Sequence, residues 1–153
     1  MNFIFHFFFN FAVASLCFGP IEAKRAVLPI AIFSTIIDID HVRYIIKEGL
    51  GILKKRFGAK SRTIFHDFLG LAIFSWIFSI IFFLPYRAFL FLEASILSVI
   101  LHLTVDFLAG KAYPLQPFSF VETGFFTISA RAKILLEISM TVAFGGVFIL
   151  LWL

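Results

Sequence analysis

The segment "AVLPIAIFSTIIDIDHVRY", residues 26–44, decides how the chain is organised. Its first twelve residues carry no charged side chain, and four ionisable residues, Asp38, Asp40, His41 and Arg43, follow within six positions. A long apolar run of this kind is typical of a helix in a nonpolar environment. The ionisable groups therefore mark one end of an apolar helix.

The composition of the whole chain favours a membrane protein. Of its 153 residues, 61% are hydrophobic and 14% are charged, and the mean hydropathy is +1.05. So little polar surface cannot cover a water-soluble fold of this size. We therefore expect one membrane domain over residues 1–153, with the lipid bilayer as its main partner and no nucleic acid partner. The single cysteine, Cys17, cannot form an intramolecular disulfide.

Apolar runs bounded by charged residues, Gly or Pro predict five helices, at about 3–19, 26–41, 64–84, 88–109 and 133–153. At 1.5 Å per residue they are roughly 24–32 Å long, near the thickness of a hydrocarbon core. The first run has no Lys or Arg before it, unlike a signal peptide, so we interpret it as a span. The expected fold is all-α, a multi-pass transmembrane bundle of about five helices.

The connection between the second and third helices predicts a basic amphipathic helix in the cytoplasmic interface. Its apolar residues recur at helical spacing: Ile46, Leu50, Leu53 and Phe57. In an up-and-down bundle, ten of the thirteen Lys and Arg fall on the face that holds the N-terminus. Because short cytoplasmic loops carry the excess of basic residues, that face is predicted to be cytoplasmic. The expected location is the inner or plasma membrane.

All four histidines lie at helix ends that alternating helix directions bring to one membrane face. His6 opens the first helix, Asp38, Asp40 and His41 close the second, His66 and Asp67 open the third, and His102 and Asp106 close the fourth. Ionisable side chains cost roughly 2.5–3.5 kcal/mol each at the bilayer centre and normally face a partner inside the bundle. Imidazole and carboxylate together suit a divalent metal, with Zn favoured and Mn, Fe or Mg as alternatives.

The spacing of these residues supports a shared site. His102 and Asp106 lie one helical turn apart, and Asp38 and His41 also share a helix face. Asp40 points away from that pair, so it either binds the ion where the helix frays or orients a histidine. The predicted metal ligands are His6, Asp38, Asp40, His41, His66, His102 and Asp106. An interhelical hydrogen-bond network is the alternative interpretation.

These residues, in this order, resemble the motifs of the YdjM-like family of predicted inner-membrane metal-dependent hydrolases. The matching pieces are His6, "DIDH" at 38–41, "SRTIFHD" at 61–67 and "HLTVDFLAGKAYPLQPF" at 102–118. Two positions depart from the family's "HRGxTHS" pattern. Ser61 stands where that pattern has its first histidine, and Thr63 stands where it has glycine.

The resemblance implies metal-assisted hydrolysis. Because the site is expected at the headgroup level of the cytoplasmic face, a phosphoester or lipid-like substrate, such as a phospholipid, fits that location. Asp40 or Asp67 would act as the general base, and Arg62 would pair with a phosphate oxygen. Two other functions stay open at this point. The chain could be a membrane carrier that binds a metal ion or a proton, or a non-catalytic relative that keeps a structural metal.

Overall fold

The computed structural model describes residues 3–38, 68–78, 80–81, 89–109 and 130–153. Within these ranges the chain is helical and forms no strand. The helices are α1 Phe3–Phe18, α2 Pro20–Arg25, α3 Val27–Thr35, α4 Phe68–Phe78, α5 Phe89–Ala109 and α6 Ala130–Trp152, with a 3-10 turn at Ile36–Asp38. The all-α class is therefore confirmed for the described residues. The predicted interfacial helix around residues 46–57 lies outside them.

Two helices are long and apolar enough to cross a membrane, Phe89–Leu108 within α5 and Ile134–Trp152 within α6. Both agree closely with the fourth and fifth predicted helices. The apolar helix α1 has 16 residues, which makes it about 24 Å long. The full five-helix, multi-pass arrangement stays a prediction, because the described residues contain only these two helices of spanning length.

The chain changes direction sharply between α1 and α3. Gly19 has φ 90°, a conformation that glycine adopts without steric cost, and Pro20 then begins α2 at a position where its missing N–H is not needed. The short helix α2 replaces a predicted connector.

The sequence predicts a continuous helix at about 26–41, and in the structure α3 ends at Thr35 and the 3-10 turn follows it, while residues 39–41 lie outside the described ranges. The hydroxyls of Ser34 and Thr35 both donate to the carbonyl of Ala31, at 3.2 and 2.8 Å. Such bonds from side chains to the preceding turn often bend a helix and weaken its continuation. A 3-10 turn is a common ending for an α-helix.

Helix directions follow from the residues that meet along each pair of helices. His6 faces Asp106 while Phe11, further along α1, packs with Ala94, so α1 and α5 are antiparallel. A central apolar cluster fills the space between α1, α2, α3 and α5, and consists of Phe11, Ala14, Ala23, Ala26, Ile30 and Ala94. A second cluster joins α3, α4 and α5 through Phe33, Ile37, Phe78 and Val99.

Aromatic rings join α1 to α6. Phe9 meets Phe144 edge-on at a centroid distance of 5.2 Å, and Phe11 meets Phe148 at 4.8 Å. Because residue numbers rise together in these pairs, the two helices are parallel. Edge-to-face pairs of this kind contribute about 0.5–1.5 kcal/mol beyond the area that they bury.

Lys24 ties α2 to the last turn of α6. Its Nζ donates to the carbonyl of Trp152 at 2.8 Å and lies 5.8 Å from the centre of the Trp152 ring. A cation near a helix C-terminus is favourable because the last carbonyls carry partial negative charge. Most of the remaining α6 surface is apolar and exposed, including Leu135, Val142 and Leu150. Such a surface suits contact with lipid.

The close approach of α1 and α6 gives a test of this packing. A Cβ added at Gly145 would lie 3.2 Å from the Phe8 ring, whereas one added at Gly146 would meet nothing within 4 Å. Both Gly→Ala changes gain the same helix propensity, so their difference isolates the contact. We expect Gly145→Ala to be less stable than Gly146→Ala by about 1 kcal/mol in detergent unfolding measurements, because the half-buried Phe8 ring must move slightly. Equal stability of the two variants would contradict the described packing.

Candidate metal centre

Three buried side chains from two helices meet near the beginning of α1. His6 is the fourth residue of α1, and His102 and Asp106 lie one turn apart near the end of α5. The antiparallel arrangement of α1 and α5 brings them together. His6 and His102 have no solvent-exposed surface, and Asp106 is 3% exposed. We call these three residues the histidine–aspartate cluster.

The distances within the cluster suit a shared cation. His6 Nε2 lies 3.4 Å from Asp106 Oδ1, and His102 Nε2 lies 4.0 Å from Asp106 Oδ2. One ligand atom from each residue lies within 4.8 Å of the others. Ligand atoms around a tetrahedral zinc ion are separated by about 3.4 Å. The 3.4 Å separation of His6 and Asp106 therefore matches a zinc site, and wider separations in the cluster would have to shorten.

A backbone carbonyl fixes the orientation of His102. Its Nδ1 lies 2.7 Å from the carbonyl oxygen of Ser34. Because a carbonyl only accepts, Nδ1 carries the proton, and in the neutral ring the lone pair is on Nε2, the nitrogen nearer Asp106. Ser34 is among the last four residues of α3, whose carbonyls have no partner within the helix. The end of α3 therefore supports the histidine.

The His6 ring stacks on the His102 ring. Their centroids are 3.8 Å apart and their planes differ by 18°. Among the described residues, neither His6 nitrogen has a partner that meets hydrogen-bond geometry, although Nε2 is within 3.4 Å of a carboxylate oxygen. A nitrogen lone pair lies in its ring plane, so two nearly parallel rings direct their lone pairs side by side. Sharing one ion requires one ring to turn.

The donor set has a clear chemical preference. Two imidazoles and one carboxylate form a group of one negative charge when both rings are neutral, and such groups bind divalent transition metals. A buried carboxylate is costly in apolar surroundings unless it is paired or coordinates a cation. An orphaned imidazole beside a carboxylate, enclosed by apolar helices, fits a bound metal ion.

A second polar contact lies one turn further into the bundle. Asn10 Nδ2 donates to the carbonyl oxygen of Ser98 at 3.0 Å, and both residues are buried. Asn10, Ser98 and the Ser34 carbonyl were not among the predicted site residues. Their spacing in the sequence indicates the same helix faces, because Asn10 follows His6 by four residues and Ser98 precedes His102 by four.

The remaining predicted site residues cannot be placed against this cluster. The backbone of Asp38 closes the 3-10 turn, four residues after Ser34. The Asp38 side chain lies outside the described part of the structure, as do Asp40, His41, Arg62, His66 and Asp67. The structure thus brings together three of the seven predicted metal ligands.

Comparison with known proteins identifies the family. A sequence model of the YdjM inner membrane protein family matches residues 1–153. Searches of curated proteins and of solved structures gave no match. The family match covers the whole chain and agrees with the two helices of membrane-spanning length. The chain therefore belongs to the YdjM inner membrane protein family.

Proposed function

We propose that this chain is a membrane-embedded, metal-dependent hydrolase that acts on a phosphoester or lipid-like substrate. The observation that carries the proposal is the histidine–aspartate cluster, in which two buried imidazoles and a buried carboxylate meet at one end of an apolar bundle. In this proposal His6, His102 and Asp106 hold a divalent ion. Zinc is favoured by the ligand types, with Mn, Fe or Mg as alternatives.

The "DIDH" motif completes the proposed ligand set. Asp38 ends the turn that follows the Ser34 carbonyl, and that carbonyl contacts His102. The chain therefore enters the motif from the same end of the bundle as the cluster. We assign Asp38, Asp40 and His41, together with His66, as further ligands, and this assignment rests on the sequence motifs.

Residues of the chain supply the other parts of the proposed reaction. A bound divalent ion supplies Lewis acidity toward an ester and makes water more acidic. Asp40 or Asp67 would take the proton from the attacking water. The Arg62 guanidinium would bind two phosphate oxygens and orient the substrate, because its planar pair of donors matches that geometry.

The position of the cluster supports a substrate at the headgroup level. His6 is the fourth residue of α1, and Asp106 is three residues from the end of α5. In the proposed up-and-down bundle, the excess of Lys and Arg supports a cytoplasmic position for this end. A phospholipid or another amphiphilic phosphoester could present its polar group there while its chains remain in the bilayer.

The interior of the bundle favours a hydrolase over a carrier. Beyond the Asn10–Ser98 contact, the space between α1, α3 and α5 is filled by the central apolar cluster, including Phe11 and Ile30. The buried Ser15 hydroxyl donates to the carbonyl of Phe11 in its own helix, at 2.8 Å. Within the described ranges, the polar side chains thus end at the central apolar cluster and do not form a continuous polar path across the bundle.

Asp106→Asn tests the metal site. The change keeps the size of the side chain and removes its charge, so we expect the variant to bind zinc at least tenfold more weakly, because charged ligands dominate affinity for a divalent ion. The measurement is zinc content by elemental analysis, followed by a chelator competition in detergent. Ser95→Ala on the same helix is the control, because the Ser95 hydroxyl bonds to the Phe91 carbonyl of its own helix, seven residues before His102. Unchanged zinc affinity in Asp106→Asn would contradict the site.

Asp40→Ala tests the hydrolase assignment. Purified protein reconstituted in phospholipid vesicles should release phosphate or a headgroup, and the variant should lose this release, since general-base catalysis contributes about 10²–10⁴-fold. Zinc content is measured on both proteins to separate a lost base from a lost ligand. Metal uptake into vesicles without hydrolysis would instead support the carrier.

A further inference from the structure

Asn10 is a buried amide one helical turn from the histidine–aspartate cluster, and the helix contacts satisfy only part of its hydrogen-bonding capacity. The side chain is fully buried in α1, and its Nδ2 donates to the Ser98 carbonyl at 3.0 Å. Among the described residues its Oδ1 has no hydrogen-bond partner. A buried carbonyl oxygen without a donor costs free energy. The fixed Nδ2 leaves this oxygen with a defined orientation.

His6, on the same helix, has a ring nitrogen, Nδ1, that lacks a hydrogen-bond acceptor among the described residues. His6 and Asn10 are four residues apart in α1, so they lie on one helix face, one turn from each other. A nitrogen that can donate and an oxygen that can only accept therefore lie on neighbouring turns of one buried surface.

We propose that Asn10 is the positioning residue for His6 at the metal site. When Nε2 of His6 binds a divalent ion, the neutral ring carries its proton on Nδ1, and this N–H donates to Asn10 Oδ1, directly or through one water. Histidines that bind metals almost always donate their second ring nitrogen to an acceptor of this kind. The inference rests on the proposed metal site and adds a residue that no ligand motif contains.

The contrast with His102 explains why His6 needs such a partner. His102 is already held by the Ser34 carbonyl at 2.7 Å. Because the two stacked rings differ by only 18° in plane, one of them must turn before both bind the same ion. The Nδ1 of His6 has no hydrogen-bond partner among the described residues. The His6 ring is therefore the one that turns. Asn10 then fixes where the rotation stops.

The arrangement also links the site to helix packing. Asn10 contacts α5 through Ser98, and α5 carries His102 and Asp106. An acceptor on α1 is thus held in place by the helix that supplies the other two ligands. The spacing of α1 and α5 would therefore set the orientation of His6 as well as its distance from Asp106.

Asn10→Leu tests this role, because leucine has a similar size and no polar atom. Zinc affinity of the full chain in detergent is measured by chelator competition with zinc chloride. We expect it to fall about 10- to 100-fold, the range found when such supporting partners are removed. Ser15→Ala on the same helix is the control, because the buried Ser15 hydroxyl bonds only to the Phe11 carbonyl of its own helix among the described contacts. The control should bind zinc as the wild type does.

Nuclear magnetic resonance of the zinc-loaded, histidine-labelled protein supplies a second readout. The His6 Nδ1–H signal should be visible in the wild type and in Ser15→Ala, and should move upfield in Asn10→Leu, which removes its acceptor. If the leucine variant does not accumulate in the membrane, Asn10→Ala replaces it. Asn10→Asp, which keeps an acceptor oxygen, should retain the signal.

A double-mutant cycle separates positioning from a general effect on folding. If Asn10 acts through His6, then His6→Ala and the double variant His6→Ala/Asn10→Leu should bind zinc equally weakly. An equal loss from Asn10→Leu in both backgrounds would overturn the positioning role. The positioning role would also be overturned if the wild type binds zinc and Asn10→Leu binds it with the same affinity. That result would leave the proposed metal site intact. A wild type that binds no zinc would overturn the metal site and this role together.

Discussion

The Asp106 carboxylate and the two imidazoles beside it impose the strongest constraint on this bundle. All three are buried between helices whose other residues are largely apolar, where ionisable groups are stable only with partners or a cation. Their meeting requires that α1 and α5 run in opposite directions, and that α3 end where its Ser34 carbonyl reaches His102. The change of α3 into a 3-10 turn falls at the same place, and it leaves the Ser34 carbonyl among those without a donor in the α-helix.

Apolar packing holds α1 in the position that brings His6 to His102 and Asp106. On one side, the central apolar cluster holds it against α3 and α5 through Phe11 and Ala14. On the other, its phenylalanine rings pack on Phe144 and Phe148 of α6. The same helix thus presents His6 and Asn10 to the interior and aromatic rings to its neighbour. A shift of α1 along its axis would alter the aromatic contacts and the cluster distances together.

The sequence predicts the parts of this structure that depend on long-range patterns. Apolar length locates α5 and α6, and alternating helix direction places His6 near His102 and Asp106. It does not predict the end of α3, because the hydroxyl bonds of Ser34 and Thr35 compete locally with a continuing apolar helix. The role of the Ser34 carbonyl is also not predictable from the sequence, since every residue has a backbone carbonyl. Asn10 could have been found from its four-residue spacing to His6, a signal that a search restricted to common metal ligands passes over.

X-ray absorption at the metal edge tests the central claim, that His6 and His102 bind the same divalent ion, more directly than any other measurement. The zinc-loaded protein in detergent should show nitrogen or oxygen ligands at about 2.0–2.1 Å, with outer-shell scattering from at least two imidazoles. That scattering should decrease when His6 and His102 are both replaced by alanine. A spectrum without imidazole scattering, or one that the double replacement leaves unchanged, would contradict the account.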